Sequence, residues 1–260
     1  MTYIDAFLLG VLEGVTEFLP ISSTGHMVLL SSYLGIESDP FVKSFEVIIQ
    51  FGAILSVLII YWRRFLTSWG FYQKLMLAFL PTAIIGFIAK NKVDELLEST
   101  TVVAWALILG GIVLIWSDRW KPKKQNIHID QLSPRNALAI GFFQSISMIP
   151  GVSRSGATIL GGMSLGLTKS QAAEFSFLLA VPTMAAATGY KLLKTFKNGG
   201  IHFDANQMFL LFIGSVTAFF IAWASIQTLL KIISKKGFTP FGWYRIILGA
   251  LILFFGVHHG

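Results

Sequence analysis

The chain has no cysteine, which excludes disulfides, thiolate nucleophiles and thiolate metal sites but says little about compartment for a protein that lies mostly in lipid. Charge is scarce too. Only 13% of residues are charged against 54% hydrophobic, and a mean hydropathy of +0.70 is too high for a soluble domain of 260 residues. No water-soluble unit is left over, and the composition is that of an all-α, multispanning membrane protein forming a single membrane domain over 1–260. A basic leader is also missing: the first lysine is Lys43, so no cleaved signal peptide is expected. The net charge of +7 does not indicate nucleic acid, because lysines and arginines fall in short gaps between apolar runs and form no single patch.

Six apolar runs can cross a bilayer, near 45–62, 75–91, 102–117, 173–190, 207–231 and 241–257, given the roughly 17–25 residues a crossing needs. Two further stretches, about 4–35 and 137–170, are apolar but broken by Pro20 through Gly25 and by Pro150 through Gly156. Each flank, at about 10–15 residues and about 1.5 Å per residue, reaches only halfway across a hydrocarbon core about 30 Å thick. Both are expected to be re-entrant helix–turn–helix segments, which gives six transmembrane helices plus two such segments.

The two broken segments also align with each other at a constant offset of 131, with Gly10 on Gly141, Glu13 on Gln144, Ser22 on Ser153, Thr24 on Ser155 and Gly25 on Gly156. A later echo sets Ile108-Leu109-Gly110-Gly111 against Ile247-Leu248-Gly249-Ala250. The chain therefore reads as a duplication of one re-entrant segment plus three spans, with repeats over 1–118 and 137–257. Three crossings per repeat make the halves inverted. Tracing six crossings puts Arg63, Arg64, Lys74, Arg119, Lys121, Lys123, Lys124, Arg135, Lys169, Lys231, Lys235, Lys236 and Arg245 on the side opposite residue 1. Only Lys43, Lys90, Lys92, Lys191, Lys194 and Lys197 share its side. The richer side is expected to be cytoplasmic, both termini facing outward.

Chemistry concentrates in the two breaks. Glu13 and Glu17 are spaced i, i+4 and share a helix face, where like charges repel unless a cation lies between them. Arg154, read as the only arginine inside an apolar segment, offsets one charge. A diphosphate would add roughly two or more negative charges, so a divalent cation is expected, and oxygen-only ligands favour Mg²⁺ or Ca²⁺. Ser22 or Ser23 after Pro20 can cap the following half-helix, whose free N–H groups form an anion site. Gly151, Ser153, Ser155 and Gly156 repeat that design, and the Arg154 guanidinium offers a fork for phosphate oxygens. His26 lies one turn beyond Ser22 and Ser23, within reach of the same centre as nucleophile or general acid/base. His128, His202, His258 and His259 fall in loops or the tail and read as surface residues.

With these residues in view, the chain resembles, nearly end to end, the bacterial undecaprenyl-diphosphate phosphatases of the BacA type, also called bacitracin-resistance proteins. Two signatures carry the resemblance: Glu13-Gly-Val-Thr-Glu17-Phe-Leu-Pro-Ile-Ser-Ser-Thr-Gly-His26 and Pro150-Gly-Val-Ser-Arg154-Ser-Gly-Ala-Thr158. The resemblance implies hydrolysis of undecaprenyl diphosphate to undecaprenyl phosphate and inorganic phosphate at the outer face of the bacterial cytoplasmic (inner) membrane. That reaction recycles the lipid carrier for cell-wall synthesis and confers bacitracin resistance when the protein is abundant. By the same resemblance Glu13 and Glu17 bind metal or activate water, Ser22, Ser23 and His26 surround the attacked phosphorus, and Arg154 with Ser153 and Thr158 clamps phosphate. Ser155, from the design of the second break, is expected to bind phosphate beside them. Glu46, in Phe45-Glu46-Val47-Ile48-Ile49-Gln50, joins Glu13 and Glu17 as a third metal ligand.

The expected partners are a polyprenyl diphosphate substrate and membrane lipids, with no nucleic acid and a homodimer left open. Two routes to phosphate release stay open at this level: attack by His26 or a serine to form a phosphoenzyme, or water activated by Glu17. A different class also fits the repeat architecture, a carrier that flips a polyprenyl phosphate, alone or alongside hydrolysis.

Overall fold

The computed structural model describes residues 1–66, 69–97, 99–120, 127–197 and 203–256. Among them all regular structure is helical. Two short helices, α1 (Tyr3–Thr16) and α2 (Ser23–Tyr33), precede three long ones, α3 (Pro40–Ile60), α4 (Trp69–Leu97) and α5 (Thr100–Ser117). The order then recurs: α6 (Pro134–Ser145) and α7 (Arg154–Ser164) are short, and α8 (Lys169–Lys197), α9 (Ala205–Lys236) and α10 (Thr239–Gly256) are long. Local signals explain the starts. Thr2 with Asp5 and Asp204 with Gln207 form capping boxes for α1 and α9, while Asp39 before Pro40 and Ser133 before Pro134 start α3 and α6.

Five helices, α3, α4, α5, α8 and α9, are long and apolar enough to cross a membrane, and α10 supplies a shorter apolar helix over Thr239–Phe254. Several helices outrun the apolar windows in the sequence. α4 and α8 each have 29 residues and α9 has 32, because good helix formers carry the helix past the end of the hydrophobic stretch. Large apolar side chains such as Phe87, Ile88, Phe212 and Leu109 face outward, as expected of a multi-pass membrane protein whose solvent is lipid.

Polar contacts show which helix ends share a side. Just after α3, Arg64 bonds Asp130 at 3.1 Å and, at the start of α8, Glu174 at 2.9 Å. Lys74 in α4 reaches the Asp130 carbonyl at 2.6 Å. Asp118, at the end of α5, accepts from Lys169 of α8 at 2.5 Å and from the backbone N–H groups of Phe238 and Thr239 at 2.8 and 2.7 Å. The α3, α5 and α9 C-termini and the α4, α8 and α10 N-termini therefore meet at one end. Tyr3 of α1 bonds Asn206 of α9 at 2.6 Å at the other end. Lys121, Lys123, Lys124, His202, His258 and His259 lie outside the described residues.

The packing pairs mirror each other. α1 rests on α9 and α6 on α4; α3 packs on α9 and α8 on α4; α5 pairs with α10. Gly10 of α1 and Gly141 of α6 each sit where a methyl would collide, with the Gly214 carbonyl of α9 at 2.7 Å and with Pro81 of α4 at 2.9 Å.

Asp118 ties α5, α8 and the α9–α10 turn together from outside the spans. Burial pushes its carboxyl up, but the bonds from Lys169, Phe238 and Thr239 outweigh this and hold it below the usual carboxylate range. Asp118→Ala should cost about 1–3 kcal/mol at neutral pH. Because the folded value is the lower one, the contribution is complete above the ordinary aspartate value of about 4 and fades as pH falls below it. Melting temperatures of parent and variant should differ by a constant gap from about pH 8 to pH 5 and converge in stronger acid; a gap that widens in acid contradicts this.

Candidate active site

The first break, Glu17–Ser22, and the second, Ile146–Ser153, lie against each other. Ser155 donates to the Leu19 carbonyl at 2.9 Å, and Ser153 and Ser155 share a hydroxyl contact at 2.9 Å. A side chain at Gly156 would touch Pro20 at 3.5 Å. The second turn needs glycine at 151: its φ is +88°, and a Cβ there would lie 2.9 Å from Ala106 of α5. In the first turn Ser22 has φ +73°, an unfavourable backbone for a side-chain-bearing residue.

The two helix starts differ. Ser153 caps α7 by accepting from the Gly156 N–H at 3.1 Å. Ser22 stands at the equivalent position of α2 but makes no side-chain capping bond, contrary to the expectation that Ser22 or Ser23 caps that helix. The reason is the left-handed Ser22 backbone, together with Ser23 turning to Glu17. The first N–H groups of α2 are thereby left for another acceptor.

Glu17 is the meeting point. One carboxylate oxygen accepts from Ser23 and the other from Arg154 at 2.8 Å. Arg154 also donates to the Ser176 carbonyl of α8 at 2.9 Å and lies 5.8 Å from the centre of the Phe18 ring. Its Nε is buried without a partner. Thr158 does not point at this centre; its hydroxyl bonds Ser176 at 2.6 Å and the Arg154 carbonyl at 2.9 Å, fixing the first turn of α7.

Glu13 is fully buried and both of its oxygens lack a partner, as does Oε1 of Glu46 on α3. Glu17 and Glu46 both act electrostatically on Glu13. Its counterpart Gln144 is equally buried but satisfied, donating to Thr82 at 2.9 Å and Thr183 at 3.2 Å. The halves thus share a scaffold and differ in chemistry. Unpartnered buried carboxylate oxygens fit a hard cation, although among the described residues no three His, Asp or Glu stand together as a ready-made metal cage.

The His26 ring has a partner at each nitrogen. Nδ1 meets the Ser22 carbonyl at 2.7 Å and Nε2 meets the Tyr244 hydroxyl of α10 at 2.7 Å. A carbonyl only accepts, so Nδ1 carries the proton and the basic nitrogen faces Tyr244. The Tyr244 ring stacks on the imidazole with centroids 5.6 Å apart. His128 caps the short turn Ile129–Gln131, a surface role as expected.

Arg245 departs most from the sequence reading. Set at the basic membrane face by charge tracing, it is instead 2% exposed, roughly 9 Å along α10 from its start, so Arg154 is not the only arginine in an apolar segment. Tyr244 and Ser176 also went unread. The signal for Arg245 was its depth past Gly237; a basic residue near a span end looks interfacial until helix boundaries are known. Beside it, between α5 and the second break, runs an apolar cavity of about 580 Å³ lined by Trp105, Leu109, Val113, Ile149 and Leu160, with Ser153 and Arg245 on its wall.

The profile of the family described as Bacitracin resistance protein BacA matches residues 6–251. The chain belongs to the BacA family. Its relatives in that family include a Bdellovibrio bacteriovorus protein, 55% identical over 260 residues, with 97% of this chain and 95% of the relative covered. Another, from Flavobacterium psychrophilum, is 48% identical over 253 residues (97% and 95% covered), and one from Aquifex aeolicus is 45% identical over 251 residues (96% of each). All three bear the name undecaprenyl-diphosphatase.

Proposed function

We propose that this BacA-family member hydrolyses undecaprenyl diphosphate to undecaprenyl phosphate and inorganic phosphate. The observation that carries the reading is the Glu17 carboxylate, held between the Ser23 hydroxyl of one break and the Arg154 guanidinium of the other, in a chain 45–55% identical to proteins named for that substrate. Phosphoryl transfer is mainly positioning and charge stabilisation. Arg154, with a free Nε, and the uncapped first turn of α2 offer donors to the terminal phosphate. Glu17 accepts the proton of the attacking hydroxyl as its oxygen bonds to phosphorus. The bridging P–O bond breaks, and the electron pair leaves with undecaprenyl phosphate. Ser23, already donating to Glu17, and a water in its place are the two attackers this geometry favours. With water, inorganic phosphate leaves directly. With Ser23, a water then attacks the phosphoserine phosphorus, the Ser23 oxygen–phosphorus bond breaks, inorganic phosphate leaves and a proton passed through Glu17 restores the Ser23 hydroxyl. His26 has both ring nitrogens engaged. The apolar cavity beside the second break suits part of a prenyl chain.

A divalent cation, Mg²⁺ or Ca²⁺, would be held by Glu13 and Glu46, with remaining positions filled by substrate oxygens and water. When bound it supplies positive charge against the diphosphate. Glu17, with both oxygens occupied, serves better as base than as ligand. The protein is assigned to the cytoplasmic (inner) membrane as an inverted repeat of one re-entrant segment plus three crossings. α1–α2 and α6–α7 are the re-entrant pairs, and the site opens outward. The recurring element order and mirrored helix pairs support this.

Phosphate release from detergent-solubilised protein tests the reaction, since a pure lipid carrier would release none. Glu17→Gln should lose at least about 10²-fold in turnover, and a chelator should abolish the parent's activity; full activity of Glu17→Gln after chelation would defeat both the base and the metal.

Arg154→Lys should lose roughly 10²–10³ in rate, because a lysine cannot reproduce the fork and is a point donor. Near-normal turnover with a lowered melting temperature would reduce Arg154 to a structural tie.

Orientation is tested by single cysteines. Ser68, Gln125 and Asn198, otherwise apt, lie outside the described residues; Ser38 and Ser234 are exposed at opposite ends of the helices. Ser38→Cys should react with an impermeant thiol reagent in intact cells and Ser234→Cys should not. Reversed labelling would invert the topology.

A further inference from the structure

Arg245 is the bulkiest fully buried side chain among the described residues. It makes no ion pair among them. A charged side chain at membrane depth without a carboxylate beside it is costly enough to need a reason. Its donors all go to main-chain carbonyls. Nη1 reaches Pro20 at 3.0 Å in the first break, Nη2 reaches Gly151 at 3.0 Å in the second and Ala106 at 3.0 Å in α5, and Nε reaches Leu107 at 3.3 Å. One guanidinium therefore spans both turns and anchors them to a long helix.

Three glycines at the crossing of α5 and α10 clarify how it fits. Gly111 and Gly249 let the α5 and α10 backbones pass closely: a Cβ at either would lie 2.6 Å from the Gly242 carbonyl or 2.7 Å from that of Ala104. Gly110 does something else. A Cβ there would stand 2.9 Å from the Arg245 Cζ and closer still to Nη2, so the missing side chain is the space in which the guanidinium lies.

We infer that Arg245, seated over Gly110, is a positioning residue for hydrolysis: it holds the Pro20 and Gly151 turns in register, so that Glu17 and Ser23 from one half meet Arg154 from the other. It touches neither the ion pair nor the attacking hydroxyl and acts through the two turns. The inference rests on the assignment of the phosphate site to Glu17, Ser23 and Arg154.

The test uses Gly110→Ala, which keeps the arginine and adds one methyl to a helix that tolerates it, alongside Arg245→Lys, whose single nitrogen cannot serve both turns at once. Each purified full-length variant is assayed for phosphate release from undecaprenyl diphosphate well below its own melting temperature. Turnover number should fall about 10-fold to 10²-fold, as for a small misplacement of reacting groups, with KM within about threefold. A merely structural role predicts an equal loss whatever the state of Arg154. Register predicts coupling, so in an Arg154→Lys background Gly110→Ala should cost less than about threefold more. Parental turnover in folded Gly110→Ala, or an equal fold-loss in both backgrounds, overturns the positioning role. Should Arg245→Lys fail to fold, Gly110→Ala decides alone. Full turnover of Arg154→Lys by itself marks failure of the site assignment.

Discussion

Two interruptions of helix inside a membrane protein leave backbone carbonyls that lipid cannot satisfy, and the centre of this fold is arranged around that constraint. Leu19, Pro20 and Gly151 find protein donors in Ser155 and Arg245. Every one of those bonds crosses between elements distant in the chain. Satisfying the backbones of the two breaks therefore ties the two turns together.

The docking has an electrostatic consequence. Arg154 starts α7 while its guanidinium reaches across to Glu17 and α8, so the pair exists only in the assembled protein. Glu13 sits one helical turn before Glu17 with neither oxygen satisfied by a donor, and the equivalent Gln144 is satisfied by Thr82 and Thr183. The equivalent positions of the two recurring helix sets thus differ in chemistry, a satisfied amide in one and buried, unpartnered carboxyl oxygens in the other. Unpartnered carboxyl oxygens are what a cation would satisfy, and the charge of that cation would in turn favour an anionic phosphate beside it.

α5 and α10 serve as the frame. Their glycine-lined crossing admits Arg245 from α10, Gly151 lets the second turn lie on Ala106 of α5, and Tyr244 beside Arg245 on α10 fixes the His26 ring. At the far end Asp118 locks the start of α10 to the end of α5 and the start of α8. Neighbouring residues of one helix therefore reach both the histidine and the two turns, which makes α10 part of the site although neither signature motif lies on it.

The sequence by itself determined the membrane class, the positions of the long helices and the two breaks, and it singled out Glu13, Glu17, Ser22, Ser23, His26 and Arg154 as the candidates for chemistry within them. Apolar run length, proline and glycine placement and the cost of buried charge are local properties, and they can be read along the chain. Only the tertiary structure decided that Arg245 is a buried clamp and not an interfacial charge, that His26 is held by Tyr244, that Ser22 leaves its helix uncapped, and that Thr158 braces α7. Each of those outcomes depends on which atoms from remote segments arrive at the side chain. Hydrogen-bond partners across the breaks are set by packing, and no spacing within either motif encodes them.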